Sequence, residues 1–310
     1  MNEIFYPSHD GKTKIHACIW RPEGEIKGVV QIIHGMAEYA ARYTPFAEFL
    51  NDNGYLVVAE DHLGHGQSVL SEKELGYFNK ECSTQIVIDD IRSLQAAVKK
   101  QFPDKPYFIL GHSMGSFFCR KYISLYGNEF NGAIIMGTGF KSKFTIETAL
   151  AAVRINALFC GWHHRSKLIR KLAFGRYGKR VPAFGDNVWL SKDTSNIEAY
   201  EADPLCGFYF TNNGYNILFN IIKQACSKNT IESVPKNLPV YFVAGEEDPV
   251  GDYGKGVKKA KAKFDEAGIE NVSITLYEKA RHEILNDFCK GQVEKDILSF
   301  IENHLGDKNA

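Results

Sequence analysis

The chain has 310 residues, with 37 basic and 37 acidic side chains, so no bulk charge draws it to nucleic acid. Hydrophobic residues make up 44%, enough for a sizeable interior, yet no stretch approaches the roughly 18 uninterrupted apolar residues of a membrane span. The seven cysteines include no C-x-x-C pair, and the N-terminus lacks the charged start and apolar run of a secretory signal, so the expectation is a soluble cytoplasmic protein with reduced thiols.

In chain order, "KIHACIWRP" after the turn "HDGK" alternates and predicts an antiparallel edge hairpin. "GVVQIIHG" (28–35) reads as a buried strand, 42–55 as a helix closed by Gly54, and "YLVVAED" (55–61) as a second buried strand. Ile88, Ile91, Leu94 and Val98 recur on one face of a helix over 85–102. "PYFILG", "GAIIMGTG" (132–139), "LPVYFVAGEED" (238–248) and "VSITLY" (272–277) continue the strands. Helices are expected at 254–267 and 291–305, the second with Val293, Ile297, Phe300 and Ile301 spaced for burial. Near-continuous apolar strands separated by helices imply an α/β fold with a mostly parallel sheet covered on both faces. Between Gly139 and Pro239 about a hundred residues show helix-like patterns and no strand, an excursion long enough to be functional. The expected division is a core of 1–140 and 232–310 with a helical cap at 141–231.

Ligands of open parallel sheets bind beyond the carboxyl ends of the strands. Ser113 stands at such an end in "GHSMGS", flanked by Gly111 and Gly115. A turn tight enough to expose a serine there leaves no room for side chains two residues away on either side, which the glycines satisfy. The following helix aims its free N–H groups and positive dipole end at the reacting oxygen.

A serine hydroxyl is a weak nucleophile near neutrality and needs a base oriented by an acid, in the chain order Ser, acid, His. Only His282 and His304 follow the later strands. His304 belongs to the last helix and is expected to face solvent, whereas His282 lies in the loop after the final strand. For the acid, Glu246, Glu247, Asp248 and Asp252 follow "LPVYFVAG"; Asp248 is preferred, with Glu247 its competitor. The tetrahedral intermediate needs two amide donors, each worth around 3 kcal/mol. Met114 after the nucleophile and Met36 in "QIIHGMAEY" are the candidates, with His34 bracing the loop.

"HGMAEYAARY", "EDHLGHGQS", "GHSMGS", "GEEDPVG" and "ARHEILND" together resemble the α/β-hydrolase family of monoacylglycerol lipases and bacterial lysophospholipases, in its serine aminopeptidase-like branch. The likeness spans roughly 3–305. It implies an α/β-hydrolase fold, a triad of Ser113, Asp248 and His282, and an oxyanion hole of Met36 and Met114. One departure is Ala37, where the family commonly has glycine.

His62, His65 and Asp61 in "DHLGHGQS" read as a turn-rich loop bracing the site, and His163 with His164 as neighbours in a helix that point apart; no metal is expected. Without a phosphate-binding glycine motif no cofactor is expected either. From 141 to 180 there are ten basic residues and one acidic one, Glu147, interleaved with apolar residues. Such a surface suits contact with an anionic lipid surface or a phosphate-bearing substrate. Cys206 is expected to line the pocket. The expected activity is hydrolysis of medium- or long-chain carboxylic esters. The alternatives are a short-chain or phenolic-acid esterase, a thioesterase, an aminopeptidase, an acyltransferase, or a binding scaffold of weak turnover. The sequence is silent on oligomeric state.

Overall fold

The computed structural model describes residues 1–175, 177 and 187–306. Eight strands form one sheet: β1 (Asn2–Pro7), β2 (Lys14–Trp20), β3 (Gly28–Ile33), β4 (Tyr55–Glu60), β5 (Tyr107–His112), β6 (Gly132–Met136), β7 (Val240–Gly245) and β8 (Val272–Tyr277). Their order is β1-β2-β4-β3-β5-β6-β7-β8. The hairpin β1–β2 joins β4 antiparallel, and every pairing from β4 to β8 is parallel. Each residue of β3, β4, β5, β6 and β7 is buried, which is why these strands read as unbroken apolar runs, whereas edge strand β1 is largely exposed.

Two apolar layers sandwich the sheet. On one side α1 (Thr44–Asp52) and α10 (Lys290–Asn303) bury Phe46, Leu50, Val293 and Ile297. On the other, α2 (Thr84–Gln101), α3 (Met114–Tyr126) and α9 (Lys255–Glu266) bury Ile88, Leu94, Phe118 and Phe264. The predicted core positions of α2 and α10 are all buried.

Among the described residues, the β6–β7 excursion holds only helices: α4 (Lys143–Cys160), α5 (Lys167–Phe174), α6 (Thr194–Ala202), α7 (Asn212–Ala225) and α8 (Lys228–Glu232). Each starts on a side-chain cap, from Ser142, Ser166, Asp193, Thr211 and Ser227 respectively. α7 packs on α3 below and α4 above, so the excursion is seated on the sheet's helical layer. His163 and His164 lie in the α4–α5 connection and not in a helix; Gly161, at φ 84°, has already ended α4. His304 closes α10 half-buried, its Nδ1 2.7 Å from Phe300 O and its Nε2 3.0 Å from Asn271, so it is not a free surface residue.

The strand order reverses at β3, which sits between β4 and β5. The loops leaving β3 and β5 therefore splay apart and open a crevice at the carboxyl edge. One carries Met36, the other Ser113.

Candidate active site

Ser113 sits between β5 and α3 with φ 52° and ψ −119°, a strained backbone for a residue bearing a side chain. Its N–H donates to Met136 O at 3.0 Å, and the N–H and hydroxyl of Ser116 both bind its carbonyl, at 3.0 and 2.6 Å. The turn tolerates no bulk nearby. A Cβ on Gly115 would overlap the Ile33 carbonyl oxygen, and one on Gly111 the Gly115 carbonyl oxygen. Both flanking glycines are thus required by close backbone approach.

The loops after β7 and β8 bring Asp248 and His282 together, with His282 Nδ1 2.9 Å from Asp248 Oδ2. Asp248 is fully buried, and its Oδ1 also accepts the Val250 N–H at 2.8 Å, which anchors the carboxylate. With Nδ1–H donated to the acid, Nε2 is left as the proton-accepting nitrogen; it has no hydrogen-bond partner among the described residues. Glu247 turns outward to Lys192, 3.0 Å away. Trp189 and His112 flank the His282 ring, with centroids 5.1 and 4.8 Å away.

Ser113, His282, Met36 and Met114 all border one cavity of about 860 Å³. The excursion forms its other wall, through Ile146 and Ala149 of α4, Phe174 of α5, and Leu218, Phe219 and Ile222 of α7. Cys206 is not part of that wall. Gly207 turns the chain at φ 66° and donates its N–H to Ala37 O at 3.0 Å, so Gly207, Phe208 and Tyr209 face the cavity while Cys206 packs behind with Leu190 and Tyr200.

Ala37 itself has φ 53°, a conformation suited to glycine. Besides Gly207, the Tyr200 hydroxyl donates to its carbonyl at 3.0 Å, so two contacts from the excursion hold this loop. His34 Nδ1–H donates to Gly35 O at 2.7 Å and its Nε2 accepts the His62 N–H at 2.9 Å, bracing the loop from below. Asp61 adds bonds to the N–H groups of Ala40 and Gln67. Among the described residues the potential donors of Glu3, His16 and Cys18, on the β1–β2 hairpin, lie within 4.8 Å of one another, though His16 Nδ1 is already 2.8 Å from Asp61.

A buried charge network beneath the site escaped the sequence reading. Glu38 accepts from Gly35 N–H and, at 2.9 Å, from the Tyr43 hydroxyl; it also lies 3.1 Å from His112 Nδ1 and 2.8 Å from Arg42. Arg42 clasps Glu283, to which Asn196 of α6 donates at 2.8 Å. Burial pushes the Glu38 carboxyl up, but the hydrogen bond and charge of His112, with Arg42, hold it well below the usual range. Burial likewise pushes His112 down, and its bond to Glu38 overcomes this and raises it above its ordinary value. The only signal in the sequence was the four-residue spacing of Glu38 and Arg42, which fits one helical turn but names no partner in the His282 loop.

The parallel sheet, the strained serine on its β5–α3 turn and the His–Asp pair on the last two loops define an α/β-hydrolase. The serine aminopeptidase S33 family model matches residues 24–288, and the chain belongs to that family. It is 26% identical over 295 residues to a monoacylglycerol lipase of Mycolicibacterium smegmatis, covering 95% of each chain. A probable lysophospholipase L2 of Haemophilus influenzae is 23% identical over 289 residues, covering 92% of this chain and 86% of that one. The solved structure of a thermostable carboxyl esterase from Bacillus coagulans, in complex with glycerol, superposes with a TM-score of 0.92 at 28% identity over 98% of each chain. The protein is a carboxylic ester hydrolase.

Proposed function

We propose that the protein hydrolyses carboxylic esters of medium or long acyl chains, such as monoacylglycerols or lysophospholipids, through an acyl-enzyme on Ser113. His282, oriented by Asp248, takes the Ser113 proton as the hydroxyl attacks the ester carbonyl. The amides of Met36 and Met114 receive the oxyanion. His282 then protonates the departing alcohol and activates the water that frees the fatty acid. No cofactor enters this scheme. Residues 141–231 serve as the cap.

The observation that carries this reading is the 2.9 Å His282–Asp248 contact beside a cavity shared by Ser113 and an apolar wall. That wall fits an acyl chain better than a sugar or a peptide, and the lipase names of the relatives agree with it. The test is p-nitrophenyl esters from acetyl to palmitoyl on the wild type and on Ser113→Ala. Activity should peak at about eight or more carbons and vanish in the variant. A Ser113-dependent peak at acetyl would keep the mechanism but favour a small-ester substrate.

The cap also supports contact with an anionic lipid surface. Phe144, Leu158 and Phe159 are 82%, 81% and 81% exposed, close in sequence to Lys143 and Arg154. Pelleting with phosphatidylglycerol vesicles should be lost in Leu158→Asp/Phe159→Asp. Among the described residues no helix is long and apolar enough to cross a membrane. The seven unpaired cysteines support a reducing, cytoplasmic compartment.

A further inference from the structure

The polar residues of the cavity are unevenly charged. Its acidic members are Glu38 and Glu283, which share Arg42 beneath the floor, with His112 also against Glu38. Its cationic members are Lys141, Lys167, Arg170 and Lys171, all from the start of the cap and α5. Lys167 and Lys171 are four apart on α5, hence on one helical face, and both are exposed, which puts them at the rim. Among the described residues no ion pair holds Lys141, Lys167 or Lys171. The predicted basic residues Arg176, Lys179 and Arg180 lie outside the described residues.

The cavity therefore has an apolar chamber along α4 and α7 and a cationic rim on α5. A ligand matching both is an amphiphile with one acyl chain and a negative head. We infer that the preferred substrate is a lysophospholipid with a net anionic phosphate head, and that Lys167 and Lys171 select it over a neutral monoacylglycerol. This rests on the acyl-ester reading above and deepens it. In such a substrate the scissile ester and the phosphate sit on one glycerol, and Ser113, Lys167 and Lys171 line the same cavity. The reaction is unchanged: water adds, the acyl C–O bond breaks, and fatty acid and glycerophosphate leave. Both products are anionic.

The test compares kcat/KM on 1-decanoylglycerol, 1-decanoylglycero-3-phosphate and 1-decanoylglycero-3-phosphocholine, each below its micelle concentration so that surface binding cannot contribute. p-Nitrophenyl decanoate serves as a headless ester. The wild type should prefer the phosphate over the neutral glyceride by roughly tenfold, mainly through KM, and this ratio should shrink between about 0.05 M and 0.5 M salt. In Lys167→Gln/Lys171→Gln the ratio should fall at least about fivefold, and in Lys167→Glu/Lys171→Glu it should invert. A neutral glyceride cleaved as well as the phosphate, with p-nitrophenyl decanoate also cleaved, overturns the head-group inference and leaves the ester reading standing. Failure on every substrate, p-nitrophenyl decanoate included, overturns both.

Discussion

Arg42 and Glu283, 241 residues apart in the chain, face each other through two contacts of 2.9 Å, one from each guanidinium nitrogen. The same guanidinium holds Glu38 and lies 4.8 Å over the Tyr200 ring of α6. One buried cation thus ties together the loop after β3, the His282 loop and α6.

Removing that cation leaves the buried Glu283 without a charged partner and Glu38 with His112 alone. Arg42→Leu should destabilise the fold by about 3–5 kcal/mol at neutral pH. In the wild type, Glu38 and Glu283 are held low, so their contribution is present above the ordinary carboxylate range and is lost on acidification. Without Arg42 the sign reverses for Glu283, because a buried carboxylate with no cation beside it prefers its proton. Denaturant titrations should therefore show a smaller deficit near about pH 5 than near about pH 8.

Asp248→Asn should lower kcat by roughly 10⁴-fold, because an amide at that position no longer fixes the tautomer with the proton on His282 Nδ1. Glu247→Gln removes only a surface pair with Lys192 and should change kcat by less than about twofold. Steady-state kinetics on one chromogenic ester would separate the two carboxylates.

The loop after β3 offers opposing substitutions. Ala37 has φ 53°, so Ala37→Gly relieves strain of about 1–2 kcal/mol while adding somewhat less unfolded-state entropy. A net gain of up to about 1 kcal/mol in thermal unfolding is expected, with activity retained. By contrast, a Cβ on Gly35 would stand 2.5 Å from Glu38 Oε1 and 3.1 Å from Ser113 Cβ. Gly35→Ala should cost activity by roughly a hundredfold or more, since it displaces the donors around the nucleophile.

Glu60 at the end of β4 is fully buried; Gln31 makes a long 3.5 Å contact to its Oε2, and His62 Nδ1 lies 3.4 Å from its Oε1. Burial raises its carboxyl to about 8. A raised folded value means stability is intact below the ordinary carboxylate value and declines as pH climbs towards 8. Glu60→Gln should abolish that decline, gaining about 3 kcal/mol near pH 7 and almost nothing near about pH 4. Melting temperatures of both proteins across pH would show the curves converging in acid.

Much was legible in the linear chain because it is local. β3, β4 and β5 announce themselves as apolar runs since both faces of each are covered. Gly111 and Gly115 are readable because the turn around Ser113 excludes side chains at fixed offsets. Cys206 was misplaced for the opposite reason: which side of a cap segment faces inward depends on the turn at Gly207 and its bond to Ala37, and neither has a periodic signature.

The sequence by itself determined the order of strands and helices and the serine turn, since each follows from spacing within a few residues. Only the tertiary structure decided that Arg42 would serve Glu283, that His112 would sit between Glu38 and His282, and that Lys167 and Lys171 would rim the cavity. Such partners are chosen by packing across the sheet edge, where side chains distant along the chain must satisfy one another's charge once water is excluded.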